Sequence, residues 1–203
     1  MANQRERILS AVGDVASVAG YSDMTVEGVI VTAGVSRRTF YEHFKNKDDA
    51  FLAAFHAALE QLFAAVRDAY RREQRAEARL SAALAAFLDF FAREPGFARM
   101  CIVEALAAGP EAVERRNAAM ATFARVLDEN ARKLDSPLEP PELTAETIVG
   151  GIYEVVYTRV LRGEIRELPA LLPDLTYLAL LPYLGPEAAA AERRRLLDSQ
   201  QAA

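Results

Sequence analysis

The sequence predicts an all-α protein in two parts, a three-helix segment over residues 1–48 and a larger helical domain over 49–203. Three observations carry this. Alanine, leucine, glutamate and arginine dominate, while glycine and proline number only 10 and 9 in 203 residues, a balance that favours helix. Apolar residues recur at three- and four-residue steps, with no β alternation and no internal repeat. Glycine and proline clusters ("EPG" at 94–96, "AGP" at 108–110, "DSPLEPPE" at 135–142) punctuate those runs.

Each element follows in order. Ile8, Val12, Val15 and Ala19 make an apolar stripe over 4–19, and Gly20 stands where that helix should stop. Thr25 reads as the N-cap of a short helix to Ala33 that buries Val26, Val29 and Ile30. Gly34 supplies a turn, and Ser36 caps a third helix over Arg37–His43. Asn46 caps a fourth, with Asp48 and Asp49 in its first turn, where negative charge is favoured. That helix runs through Phe51, Leu52, Phe55 and Leu59 towards Tyr70. Later helices are predicted at 75–93, 97–107, 110–134, 143–162 and 168–184, followed by a tail, "EAAAAERRRLLDSQQAA", that reads as a fraying helical extension.

Composition narrows the function classes. A hydrophobic fraction of 52% is ample for a packed core. Cys101 is the single cysteine, so no internal disulfide can form, which fits a reducing, cytoplasmic setting. The opening "MANQRERILS" is too polar and charged for a signal peptide. The least charged stretch, 168–185, carries Asp174 and three prolines, and reads as a buried or interface helix rather than a membrane span. No catalytic constellation stands out. The two histidines, His43 and His56, are isolated, Cys101 has no histidine partner, and no glycine-rich phosphate loop or metal-spaced cluster appears. No cofactor and no metal is expected.

The net charge is −5, yet Val35–Lys47 holds Arg37, Arg38, Lys45 and Lys47 against Glu42 alone. Two short helices around a glycine turn make a helix-turn-helix, whose second helix enters the major groove of double-stranded DNA. Phe40 and Phe44 lie four apart and share one face with Val35. Arg37 and Tyr41 lie four apart on another, with Arg38 beside them. Arginine can bond guanine O6 and N7 together, worth about 1–3 kcal/mol of discrimination. Tyr41 can touch a thymine methyl or bond a phosphate. Thr25, Ser36, Thr39, His43 and Lys47 suit phosphate oxygens. The bland alternative is an ordinary charged helix face, but cap, turn, cap, cations and paired anchors all agree.

The same residues resemble the TetR (tetracycline-repressor-like) family of bacterial regulators: "RERIL" at 5–9, "GY" at 20–21, "TVEGV" at 25–29 and "AGVSRRTFYEHFKNKDDAF" at 33–51. The resemblance covers about a quarter of the chain. It implies a homodimeric repressor on a palindromic operator, with Thr25, Ser36, Arg37, Arg38, Thr39, Tyr41, His43 and Lys47 as DNA contacts and a C-terminal domain that releases DNA on binding a small molecule. The chain departs from the family in having Gly13 and Ala16 where helix one carries leucine and phenylalanine, and Ile30 where helix two carries alanine. The expectation is that Ile30 fills space vacated at Ala16.

Beyond residue 48 the reading rests on pattern. Ile152 and Val156 in "AETIVGGIYEVVYTRVLRGE" and Leu171, Leu175 and Leu178 in the next helix form apolar stripes for a dimer interface, with Gly150 and Gly151 allowing close approach. The alternative is that these stripes are the protomer's own core. Phe87, Phe91, Met100, Cys101, Tyr153 and Tyr157 are candidate walls of a pocket for a small apolar or amphipathic effector, and again plain core is the alternative. A DNA-binding regulator controlled by a protein partner or by abundance remains the second reading. An enclosed cavity between helices five and eight would separate the two.

Overall fold

The computed structural model describes residues 3–134 and 138–201. Among them the chain forms α1 (Gln4–Asp23), α2 (Val26–Ala33), α3 (Arg37–His43), α4 (Lys47–Arg72), α5 (Ala76–Arg93), α6 (Pro95–Ile102), α7 (Pro110–Ala131), α8 (Thr144–Leu161) and α9 (Leu172–Gln201). Short 3₁₀ segments, Glu104–Leu106 and Ile165–Leu171, follow α6 and α8, and no strand occurs among the described residues.

The caps are local and fall where the sequence places them. The hydroxyls of Thr25 and Ser36 accept from the amides of Gly28 and Thr39 at 3.1 and 3.0 Å, and Asn46 accepts from Asp49 at 2.8 Å. Each is worth about 1 kcal/mol. Asn3 adds a capping box with Glu6, each side chain reaching the other's backbone amide at 2.9 Å.

α2 and α3 pack on α1 and on each other, α1 packs on α4 and α6, and α4 lies along α5. One buried cluster joins Ile8, Val12, Val29 and Phe40 to Phe55, Phe91, Met100 and Leu168, so the N-terminal helices share a core with the larger domain. Ala16 and Ile30 both lie in that core. At Gly13 a Cβ would meet the Phe97 ring of α6 at 3.1 Å.

Several boundaries differ from the reading above. Pro95 opens α6 at its first turn, where its missing N–H costs nothing, and the helix ends at Ile102 rather than 107. The chain from Ile165 to Leu171 is 3₁₀ and carries Pro169, so the last long helix begins at Leu172, not 168. The tail is helical through Gln201. α9 breaks at Gly185 (φ 78°, ψ 173°) and returns along itself, with Arg193 Nε bonded to Asp174 Oδ1 at 2.7 Å and Gln200 Nε2 to the Pro169 carbonyl at 3.1 Å. Inside that return, buried Glu192 takes Ser81 Oγ at 2.8 Å and two bonds from Arg195 at 2.9 and 2.6 Å, tying the tail to α5. Asp135, Ser136 and Pro137 of the predicted break, and the final Ala202 and Ala203, lie outside the described residues.

Segments 47–72 and 165–201 are long and apolar enough to cross a membrane by length and composition alone. The first lays Phe51, Phe55 and Leu62 into the core, and the second is broken at Gly185.

The stripes assigned to a dimer interface divide. Val156 and Leu175 are buried inside the protomer, at 0% and 5% exposure, so they are core residues and not interface residues. Ile152 and Leu171 are half-buried against the same core. Leu178 is 56% exposed, alongside exposed Val155 and Leu161. Three- and four-residue periodicity marks a buried face without saying what buries it.

Candidate nucleic-acid interface and apolar cavity

The short helix α3 is held from three sides. Gly34, in the left-handed region at φ 60°, ends α2, and its amide and that of Val35 bond back to Val31 and Ile30 carbonyls at 3.2 Å. Arg7 on α1 bonds the Ala33 carbonyl through Nε and Nη2 at 3.0 and 2.6 Å, satisfying an end carbonyl that α2 cannot. Phe40 and Phe44 are buried with ring centroids 5.8 Å apart.

That anchoring turns the other face out. The side chains of Arg37 and Arg38 are 65% and 90% exposed, and Tyr41 stands edge-on to Phe40 at 5.4 Å. Arg37 lies 3.4 Å from Glu27 and Arg38 3.0 Å from Glu42. Such exposed pairs are worth about 1 kcal/mol or less, so an incoming phosphate or base edge can displace the carboxylates. Thr25 and Ser36 accept in their caps, and Ser36 Oγ also lies 2.9 Å from Thr39 Oγ1, one of the two hydroxyls donating. His43 is exposed at the end of α3.

Lys47 is placed differently. Its ammonium donates to the Tyr21 and Ser22 carbonyls at 3.2 and 3.1 Å and sits 4.9 Å above the Tyr21 ring. It closes the end of α1 instead of standing free beside a phosphate.

A cavity of about 470 Å³ opens between α4, α5, α7, α8 and α9. Phe87, Phe91, Cys101 and Tyr153 line it, together with Ile152 and Phe123. Met100 and Tyr157 do not: Met100 is fully buried in the core. Burial pushes the Cys101 thiol far up, so it is neutral. The cavity follows α4 from Phe55 to Arg71, sixteen residues and hence about 24 Å. Its wall is apolar, the sulfurs of Cys101 and Met120 included, but for three arginines (Arg67, Arg71 and Arg116) and the hydroxyls of Tyr70, Ser81, Tyr153 and Thr176. Thr176 Oγ1 and Arg116 Nε are buried without a hydrogen-bond partner.

The segment containing α6 joins cavity to helix-turn-helix. Ile102 lines the cavity, and its carbonyl accepts from Tyr153 Oη at 2.6 Å. Burial raises the Tyr153 phenol, opposed by the adjacent Arg116. Six residues earlier Gly96 meets Gly13 of α1 so closely that a Cβ on Gly96 would lie 3.3 Å from the Gly13 carbonyl. Just beyond, buried Glu104 accepts from the Tyr21 amide at 2.8 Å and from Arg99 Nε at 3.3 Å. Tyr21 in turn donates its hydroxyl to Asp48 of α4 at 2.6 Å, and burial together with that carboxylate pushes its pKa up to about 12.

Sequence reading missed Arg116, Thr176 and Glu104. A signal existed for the first: Arg116, Ala119, Phe123 and Leu127 repeat at three- and four-residue steps, which puts Arg116 and not Arg115 on the inward stripe. Glu104 carried no local signal, since its partners lie 83 and 5 residues away.

Residues 8–54 match the model of the bacterial regulatory proteins of the tetR family. The HTH-type transcriptional activator FasR of Mycolicibacterium smegmatis is 30% identical over 91 residues, covering 45% of this chain and 42% of that protein, so the match spans less than half of that relative. The fatty acid degradation regulator FadR from Bacillus halodurans superposes with a TM-score of 0.76 at 22% identity, over 89% of this chain and 96% of that one. FadR from Bacillus subtilis, solved in complex with stearoyl-CoA, gives 0.73 at 21% identity, over 86% and 96%. At these identities the likeness is one of fold.

Proposed function

We propose that the chain, whose residues 8–54 match the tetR family of bacterial regulatory proteins, is a cytoplasmic, sequence-specific DNA-binding regulator. It acts as a homodimer on a palindromic operator and represses until a long-chain acyl effector releases it. The observation that carries DNA reading is the orientation of α3, with Phe40 and Phe44 inward and Arg37, Arg38 and Tyr41 outward. Arg37 and Tyr41 read bases. Thr25, Ser36, Thr39 and His43 hold phosphates. Residues 1–48 form the DNA-binding part and 49–203 the dimerisation and effector part.

Two copies place their α3 helices one DNA turn apart, about 34–36 Å, or a multiple of it. The exposed side of α8 and α9 serves as the interface. Leu178, Val155 and Leu161 are apolar there, and a Cβ on Gly150 or Gly151 would meet nothing within 4 Å, leaving room for a partner helix.

The cavity favours control by a ligand over control by abundance. It is apolar and follows about 24 Å of α4, a length that suits an extended acyl chain. The FadR structure from Bacillus subtilis, of the same fold, holds stearoyl-CoA. An effector pressing on Ile102 and Tyr153 acts on α6, which bears on α1 at Gly13 and, through Glu104, on Tyr21. It shifts the equilibrium only if it binds the DNA-incompetent arrangement more tightly.

Selection of DNA bound by the purified protein from a random pool tests the reading. A palindromic consensus is expected, with its recovery abolished by palmitate or palmitoyl-CoA. Arg37→Ala should relax base preference. Equal losses on specific and random DNA would refute base reading by Arg37, and an unenriched pool would refute the function.

A further inference from the structure

Every charged side chain lining the cavity, among the described residues, is an arginine, and the three arginines stand at opposite ends. Arg67 and Arg71 are exposed on the last turns of α4, where Arg67 already lies 3.5 Å from Asp68. Arg116 stands near the start of α7. Eleven residues separate it from Leu127, another wall residue on the same helix, which is about 16 Å. The Leu127 end is the Arg71 end, because Tyr70 Oη bonds Asn130 Oδ1 at 2.7 Å.

Arg116 is half-buried and lacks an anion. Its guanidinium carbon lies 4.0 Å from the Tyr153 ring centroid, and Nη1 bonds the neutral amide of Asn117 at 2.8 Å. Nε is buried and unpaired, and no described carboxylate makes an ion pair with the group. A desolvated guanidinium with the Tyr153 ring and phenol and one amide beside it, but no anion, is incompletely compensated. A carboxylate repairs this, offering two oxygens to a planar fork of donors.

We propose that Arg116 binds the anionic head of the effector, and that the effector is a free long-chain carboxylic acid lying along α4 with its tail towards Arg67. A thioester carries no charge at its carbonyl and would leave Arg116 uncompensated. Its nucleotide phosphates would instead lie at the exposed Arg67 and Arg71. The inference rests on the reading of the cavity as an acyl site.

Calorimetric titration of the full chain with palmitate, hexadecanol and palmitoyl-CoA tests it, using the unaltered protein, Arg116→Gln and Arg116→Lys. Palmitate should bind the unaltered protein about tenfold or more tightly than hexadecanol. Arg116→Gln should abolish that gap with hexadecanol affinity retained, and Arg116→Lys should keep part of it. Thermal melting checks each fold, and if the glutamine variant does not fold, the lysine variant carries the comparison. Equal binding of acid and alcohol, equal weakening of both by the variants, or tightest binding by palmitoyl-CoA untouched at Arg116 overturns the inference alone. Failure of all three ligands to bind the unaltered protein overturns the acyl reading and the inference together.

Discussion

The amide of Tyr21 and the carboxylate of Glu104 meet at 2.8 Å across the seam between helix-turn-helix and cavity. The bond exists because α1 breaks at Gly20 (φ 80°, ψ 161°), a conformation in which a side chain would be strained. The break leaves the next amide without its helical carbonyl, and Glu104 supplies the acceptor. The same carboxylate holds Arg99 of α6 at 3.3 Å, so α1 and the cavity wall share one anion. Glu104→Ala should cost about 1–3 kcal/mol, the desolvation penalty of a stranded buried donor. It should also shrink the ratio of operator affinities without and with effector, measured by DNA titration in both conditions. Glu104→Gln, which keeps an acceptor, should recover most of the stability. An unchanged ratio in the alanine variant would remove Glu104 from the coupling route.

Gly13 and Gly96 make a second contact across the seam, and the two glycines are not equivalent. A methyl on Gly96 meets the Gly13 carbonyl carbon and oxygen at 3.3 Å, and backbone cannot step aside. A methyl on Gly13 meets the Phe97 ring at 3.1 Å, with the Gly96 backbone only at an ordinary 3.8 Å, and gains about 1 kcal/mol of helix propensity in return. Gly96→Ala should therefore destabilise by about 1–3 kcal/mol, while Gly13→Ala stays within about 1 kcal/mol of the unaltered protein. Urea unfolding of both variants decides this, and a larger loss at Gly13 would show that the ring is locked.

What the sequence made legible was local. The caps at Thr25, Ser36 and Asn46 each span three residues, and the Phe40–Phe44 anchor spans four, so spacing alone identifies them. The cavity was half legible. Phe87 and Phe91 line it and Phe90 does not, though all three fit an apolar helix face; which one meets empty space depends on α7 and α8. Val156 and Leu175 show the same limit, since an apolar stripe packs equally on its own protomer or on a copy. Glu192 was unreadable because its partners Ser81 and Arg75 are brought near only by the return of α9 after Gly185.

Lys47 illustrates how a cation in the right motif can be committed elsewhere. With two carbonyls and a ring already about its ammonium, it has little left for a phosphate. Lys47→Met should lower the melting temperature by a few degrees, corresponding to about 1–2 kcal/mol for hydrogen bonds from a charged donor. The slope of log affinity against log salt should stay nearly constant. A slope flattened by about one unit would place the ammonium on a phosphate after all.

Glu192 sets the acid limit of the α5–α9 joint. The bonds from Arg195 hold its carboxyl below the ordinary carboxylate range, with Ser81 and Arg75 adding to the effect against the opposing influence of burial. A carboxylate held low in the folded state contributes stability that is complete above its unfolded value, about 4.3, and is lost as pH falls through the folded value. Glu192→Gln should therefore destabilise by about 2 kcal/mol at pH 7. That is less than the about 3–5 kcal/mol of a fully buried pair, because Arg195 and Arg75 are solvated enough to tolerate the loss. The gap between the two proteins should hold steady from pH 8 to about 5 and narrow below about 4. Urea midpoints across that range measure it. A gap that widens on acidification would mean that Glu192 is protonated in the native joint, and that Arg195 is held by something else.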